Sequence, residues 1–273
     1  DFSVAGKVEA FMPAWKHGFA NPTEPTAEWV LSAPYRQGYA FDGWYWNSSF
    51  SGSKVTTVSA SSSGTLYAKW VVATSGTESG YTWVDLGLSV KWATCNVGAS
   101  KPEEYGDYFA WGETEPKNTY DWSTYKWCRG SYDTQTKYCT NSSFGTVDNK
   151  TTLDMSDNAA RANWGGSWRM PTDAELTELR EQCTWTWTTQ NGKYGYKVTS
   201  KKSGYTNKSI FLPAAGYRDD SSIIGTGRCA YYWSSSLHTG YPFCAWYVYF
   251  YSDYVGRDNS TRYCGFSVRP VCQ

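Results

Sequence analysis

The run Ala245-Trp246-Tyr247-Val248-Tyr249-Phe250-Tyr251-Ser252 constrains the fold more than any other stretch of this chain. Trp246, Val248 and Phe250 alternate with Tyr247, Tyr249 and Tyr251. A helix turns about 100° per residue and would scatter these side chains around its axis, whereas a strand sends successive side chains to opposite faces. The run therefore predicts a strand with Trp246, Val248 and Phe250 toward a core and a row of three tyrosines toward solvent. Tyrosine joins a large apolar ring to a polar tip and has few rotors to freeze, which suits a binding surface. It is also a good strand former. The alternation by itself leaves both explanations open.

The surrounding sixty residues shift the balance toward binding. Residues 1–212 hold 15 Lys, 11 Glu, 4 Gln and 3 Met, and residues 213–272 hold none of the four. Strands disfavour Lys and Glu, but that does not explain what remains. The stretch keeps Arg218, Arg228, Arg257, Arg262 and Arg269 without a lysine, and Asp219, Asp220, Asp253 and Asp258 without a glutamate. Codon chemistry does explain it. Codons ending in a pyrimidine encode Tyr, His, Asn, Asp, Cys, Phe, Ser, Gly, Arg, Pro and Thr, and cannot encode Lys, Glu, Gln, Met or Trp. His238–Cys244 and Gly256–Cys264 read as draws from that set, with Trp233 and Trp246 as fixed scaffold.

Tyr231-Tyr232-Trp233-Ser234-Ser235-Ser236, Ala245-Trp246 and Ser267-Val268-Arg269-Pro270-Val271-Cys272 together resemble the variable proteins of diversity-generating retroelements. The resemblance covers about residues 81–272. It implies a C-type-lectin-like fold whose 3′-encoded residues are randomised at Asn-type codons and form a ligand-binding face. Gly165-Gly166-Ser167-Trp168-Arg169-Met170-Pro171-Thr172-Asp173-Ala174-Glu175-Leu176 resembles the core motif of formylglycine-generating-enzyme-like domains and their surface paralogues, with Leu where Trp is frequent. Gly38–Tyr45 and Thr65–Trp70 resemble the Listeria–Bacteroides repeat, a small β-grasp-like surface module, over about residues 7–71.

A chain of 273 residues is long enough for one or two domains. Residues 1–72 read as short strands, at Val8–Met12, Tyr39–Tyr45 and Thr65–Trp70, between turns at Pro22, Pro25, Pro34, Gly52 and Gly64. This part is expected to be a spacer. Residues 73–80, Ala-Thr-Ser-Gly-Thr-Glu-Ser-Gly, have linker composition. The second domain, 81–273, opens with a hairpin over Trp83–Ala93 that turns at Gly87. A short strand follows at Tyr105–Trp111, then a long ordered loop over Gly112–Asn149. Helices are predicted at Ser156–Asn163 and after Pro171. In the second, Thr172 and Glu175 form a capping box and Leu176, Leu179 and Cys183 share one face. That role accounts for Asp173 and Glu175 without catalysis. Strands are predicted at Thr184–Thr189, Tyr194–Thr199 and Ser209–Leu212.

The chemistry on offer is sparse. His17 and His238 are the only histidines, and no Cys-x-x-Cys pair occurs, so neither a zinc site nor a Ser-His-Asp arrangement is expected. Of the eight cysteines, Cys128 and Cys139 close a short loop and make the expected bridge. Cys229, Cys244 and Cys264 lie where cysteine arises by chance, and Cys95, Cys183 and Cys272 suit buried thiols. The formylglycine-generating resemblance would need a reactive cysteine pair, for which Cys264 and Cys272 are the nearest match without the family's surrounding pattern. The calcium-lectin triplets are absent, since Glu115-Pro116 is followed by Lys117. Net charge is zero and no basic cluster occurs, which argues against a nucleic-acid partner.

The expectation is an α+β chain: a β-rich, β-grasp-like module, then a C-type-lectin-like domain with a candidate variable region at 228–266. The ligand contacts expected are His238, Tyr241, Phe243, Tyr247, Tyr249, Tyr251, Tyr254, Arg257, Asp258, Asn259, Tyr263 and Phe266. The scaffold expected beneath them is Trp233, Trp246, Val248, Phe250 and Val268. No catalytic residue, metal, cofactor or transmembrane segment is expected. The partner would be a protein or glycan on another cell or host surface. The chain, read as processed or cut from a longer one, would sit at a cell surface, lipid-anchored, or on a phage virion. The alternatives are a fixed surface or fimbrial-tip adhesin and a formylglycine-generating-like enzyme.

Overall fold

The computed structural model describes residues 4–5, 28–36, 38–59 and 62–273. The chain divides into two compact units, Asp1–Ala73 and Thr74–Gln273. The strand expected at Val8–Met12 and the turns at Pro22 and Pro25 lie outside the described residues.

In the first unit β1 (Val4–Ala5), β2 (Glu28–Val30), β3 (Tyr39–Tyr45), β4 (Thr57–Ser59) and β5 (Leu66–Val72) form two small sheets, ordered β1-β5-β3 and β2-β4. Trp44, Val58, Leu66 and Ala68 are buried together, with Phe41 and Trp70 packed at the edge. A bulge between Phe41 and Gly43 lets both Phe41 and Trp44 reach that core. The Trp44 indole donates to the Ser32 carbonyl at 3.1 Å, so its buried N–H is satisfied.

The second unit opens inside the segment read as a linker. β6 (Ser75–Glu78) pairs with β7 (Tyr81–Val84) through a two-residue turn. Ser79 and Gly80 both take positive φ, 48° and 84°, the geometry of a type I′ hairpin turn. β7 pairs in turn with β8 (Lys91–Ala93). The loop after it carries one isolated bridge, Phe109 to Phe266, where a strand at Tyr105–Trp111 was expected. Helix α1 (Ala159–Trp164) is capped by the Asn158 side chain, and α2 (Asp173–Gln182) by the Thr172–Glu175 box. β9 (Cys183–Gln190), β10 (Lys193–Ser200) and β11 (Ser209–Pro213) form an antiparallel meander. A short ribbon, β12 (Tyr217–Asp219) and β13 (Ser222–Ile224), precedes a second meander of β14 (Ala230–Leu237), β15 (Cys244–Tyr251) and β16 (Tyr254–Thr261). β17 (Val271–Cys272) returns to pair with β8.

This architecture corrects the α+β, C-type-lectin-like and β-grasp-like expectation. Among the described residues seventeen strands, in several small and mostly antiparallel sheets, stand against two α-helices of 6 and 10 residues. That expectation rests on short motifs. Such motifs specify a cap or a turn, as Thr172 and Glu175 do, but not how much of the chain between them is strand. No helix among the described residues is long and apolar enough to cross a membrane.

The β14-β15-β16 sheet lies between two cores. On one side Trp233, Ala245, Tyr247 and Phe266 pack with Trp111, Tyr138 and Trp168. On the other, Ala230, Tyr232, Val248 and Phe250 pack with Leu176 and Leu179 of α2 and with Tyr196, Val198, Ile210 and Leu212 of the first meander. The long loop 112–149 is held by hydrogen bonds rather than by a disulfide. All eight cysteines are free thiols, which corrects the Cys128–Cys139 bridge. In its place, the Asp148 carboxylate accepts from the Tyr138 and Cys139 amides at 2.8 and 2.9 Å. The Trp127 indole donates to the Gly112 carbonyl at 2.7 Å.

The helix cap is reinforced by charge. Arg169 donates to both oxygens of Glu175, at 2.8 and 2.6 Å, and the Thr172 amide adds a bond at 2.7 Å. Burial works to raise the Glu175 carboxyl, and the Arg169 guanidinium and Thr172 amide outweigh it, so the group is held below its ordinary value. A depressed folded pKa contributes stability that is complete above the unfolded value, about 4.3, and is lost as pH falls through the folded value. Melting temperature is therefore expected to decline as pH drops from 5 to 3. Glu175→Gln should be less stable than the native chain at pH 6 and lose less on acidification. Parallel melting curves for the two proteins across that range would show that Glu175 does not carry the effect.

Candidate binding face

Strand register decides which side chains share a surface, because directly opposed residues point the same way. Tyr247 lies opposite Trp233 and Asp258, Tyr249 opposite Tyr231 and Gly256, and Tyr251 opposite Tyr254. These residues form one face of the β14-β15-β16 sheet. The other carries Tyr232, Trp246, Val248, Phe250, Val255, Arg257 and Asn259.

The tyrosine face is graded from core to solvent. Tyr247 is 9% exposed, Tyr251 42% and Tyr254 55%, with Tyr249 between them. The expected row of three outward tyrosines is thus corrected at Tyr247, a core residue. Alternation identifies the residues that share a face but not whether another segment covers it, and here Phe266 does. Phe266, expected as a contact, is 2% exposed and stacks on Trp233 at 4.1 Å. Toward solvent the rings support one another. Tyr231 stacks on Tyr249 at 6.0 Å and 15°, and Tyr217 tilts against Tyr231 at 4.7 Å. The Tyr231 and Tyr251 hydroxyls share a hydrogen bond of 2.8 Å. Gly256 is needed where it stands: a Cβ there would come within 2.6 Å of both the Tyr249 and Tyr254 rings, which close over this strand 5.7 Å apart. Burial lifts the phenols of Tyr231 and Tyr247 well above their ordinary value, so both remain neutral donors.

A second aromatic group sits on the loop between β14 and β15. His238 lies between Tyr241, stacked at 5.2 Å and 16°, and Trp246 at 4.6 Å. Its Nδ1 accepts from the Tyr241 amide at 2.9 Å. Phe243 continues toward Phe144 and Tyr132, at 5.1 and 5.4 Å. Tyr241 is 54% exposed and Tyr132 49%.

Other expected contacts are placed elsewhere. Arg257 and Asn259 lie on the opposite face from the tyrosines. Arg257 is already engaged, with two bonds of 2.6 Å to Asp173 and its guanidinium 3.6 Å over the Trp246 ring. Trp246, expected as buried scaffold, is accordingly only half-buried. Asp258 is exposed on the tyrosine face, and its carboxylate accepts from the Asn259 amide at 2.8 Å. Tyr263 is half-buried and packs edge-on against Trp122 at 4.9 Å. Sequence reasoning missed Tyr132, Phe144, Tyr217 and Tyr231 as partners. Tyr231 alternates with Tyr232 and Trp233, but only the strand register sets it against Tyr249.

Six of the eight thiols are buried, and Cys95 and Cys128 are half-buried. Burial pushes Cys183 and Cys272 up to about 11 and Cys244 up to about 12, and raises Cys264 and Cys229 as well. A buried, protonated thiol is inert. Among the described residues no group of three or more His, Cys, Asp or Glu is placed to hold a metal ion. No protein-family model, curated protein or solved structure matches this chain.

Proposed function

We propose that this chain is a ligand-binding protein acting by recognition without turnover, and that its contact surface is Tyr249, Tyr251, Tyr254 and Asp258 together with His238, Tyr241 and Phe243. One observation carries the reading: Tyr251 and Tyr254, at the open end of a sheet packed between two cores, and Tyr241 on the adjoining β14–β15 loop each stand about half-exposed. Large rings on a held backbone lose little freedom on binding and provide much contact area. The six buried thiols fit this reading, since a buried thiol is a poor nucleophile. The partner would be a protein or glycan on another cell or host surface, met outside the cell or on a virion. Exposed positions of residues 228–266 tolerate substitution at about half a kcal/mol or less, which suits diversification by a retroelement. Cys229, Cys244 and Arg262 in the same stretch are buried, and this favours the second reading, a fixed surface adhesin.

The gene itself separates the two. Sequencing across isolates should find changes concentrated at Tyr241, Tyr251, Tyr254 and Asp258, and absent at Trp233 and Arg262. A span that varies no more than the rest of the chain would leave the adhesin. For either reading, Tyr241→Ala and Tyr254→Ala should weaken a cell-surface ligand found by panning about tenfold while leaving the fold unchanged. Undiminished binding in both variants would remove the face.

A further inference from the structure

Beside the Tyr251–Tyr254 turn lies a cleft of about 480 Å³, its walls formed by Trp187, Tyr194, Arg228, Tyr251 and Asp253. That size falls within the range of small-molecule sites, about 300–1,000 Å³. Trp187 on β9 and Tyr194 on β10 point from the same face of their hairpin and stack at 5.9 Å and 10°. Trp187 is held from behind by Tyr196 at 5.2 Å and Phe250 at 6.2 Å, so this wall is fixed. Tyr194 is 51% exposed. Across from it stand Arg228, just ahead of β14, and Asp253, in the turn between β15 and β16. Both are exposed, and among the described residues neither forms an ion pair.

The geometry points to a saccharide site: one sugar ring of a glycan lies with its C–H face on Trp187 and Tyr194 and its hydroxyl edge between Asp253 and Arg228. The lining chemistry selects this class. An apolar ligand would cover both charges without giving them partners, which is costly. An anion meets Asp253 and a cation meets Arg228. A neutral polyol supplies both kinds of partner, donating hydroxyl protons to the Asp253 carboxylate and accepting from the Arg228 guanidinium. The aromatic wall comes from residues outside 228–266 and the polar wall from residues inside it. The hairpin would thus set the ligand class, and the turn would tune which sugar is taken. The inference rests on the tyrosine-face reading only in that Tyr251 belongs to both.

The test uses the full chain on an array of neutral and charged glycans, followed by saturation-transfer NMR with the methyl glycoside of the best-bound terminal sugar. Tyr194→Ala and Asp253→Asn change exposed side chains and should each weaken binding about tenfold. Val147→Ala, an exposed side chain of the 112–149 loop that belongs to neither surface, should leave it unchanged. The proposal is overturned if no neutral glycan binds, if both cleft variants bind normally, or if an aromatic peptide displaces the glycoside and itself depends on Tyr194. Loss on Tyr254→Ala with binding retained in Tyr194→Ala would overturn the cleft while keeping the tyrosine face. Sugar binding that depends on Tyr194, alongside a panned ligand indifferent to Tyr241 and Tyr254, would do the reverse.

Discussion

Arg262→Ala is expected to lower the melting temperature of the carboxy-terminal unit by about 8–16 °C, the shift for a loss of about 4 kcal/mol in a unit of this size. Arg262 is fully buried, and among the described residues it has no carboxylate partner. Its charge is dispersed over four acceptors. Nε donates to the Tyr125 hydroxyl at 2.8 Å, and the terminal nitrogens donate to the carbonyls of Pro242, Lys137 and Tyr138 at 2.9, 3.0 and 3.2 Å. The guanidinium also lies 4.9 Å over the Trp111 ring. Alanine would leave those acceptors buried without donors, and an orphaned buried polar group costs about 1–3 kcal/mol. The acceptors belong to separate segments, so the long loop 112–149 should loosen along with the β14–β15 loop. Arg262→Lys should rescue only part of the loss, since an ammonium cannot reach the same fork of acceptors. Thermal unfolding followed by near-ultraviolet circular dichroism checks both variants. A fall of less than 3 °C in Arg262→Ala would show that water or neighbouring donors replace the guanidinium.

Trp233→Ala should cost about 3–5 kcal/mol, the usual range for removing a fully buried large aromatic side chain. The ring is fully buried, stacks on Phe266 at 4.1 Å and meets Tyr247 edge-on at 5.9 Å. Its indole donates to the Phe109 carbonyl at 2.9 Å, bridging 124 residues of sequence. The cavity left by alanine would lie beneath the buried end of the tyrosine face. Binding at the proposed Tyr249, Tyr251 and Tyr254 surface should therefore weaken along with stability, although Trp233 is fully buried. Trp233→Phe keeps most of the ring contact and should cost about 1–2 kcal/mol, mainly the lost hydrogen bond. Urea unfolding at constant m-value measures the difference. Equal stability of the alanine variant and the native chain would mean that this core repacks around the gap.

Much of the local structure was legible. The spacing of Thr172 and Glu175 announced the start of α2, because a capping box needs only residues three apart. The strands at 39–45, 184–189 and 194–199 followed from their patterning, and the alternation in 245–252 sorted Val248 and Phe250 from the tyrosines. The candidate face was legible only in part. Tyr241, Tyr251 and Tyr254 are exposed, but Tyr247 and Phe266 are core, and Arg257 is turned to the other side and tied to Asp173, 84 residues away. A pyrimidine-ending codon set describes Arg262 and Arg228 equally well, yet one is buried and the other exposed. The pairing of Cys128 with Cys139 failed for a similar reason: a short spacing permits a bridge, but hydrogen bonds around Asp148 hold the loop without one.

The chain's own order of residues determined the period of its strands, the caps of its helices and the scarcity of histidine. Those properties arise from sterics and hydrogen bonds between near neighbours, or from composition alone. Only the tertiary structure decided that the chain is mostly β-sheet, that both faces of the β14-β15-β16 sheet are covered, and where that cover stops. The pairing of Phe109 with Phe266 and the packing of α2 on Val248 and Phe250 join segments far apart in sequence. Burial is set by such contacts. A tyrosine at the covered end of a strand is therefore core, and the same residue a few positions on, at Tyr251, is exposed to solvent.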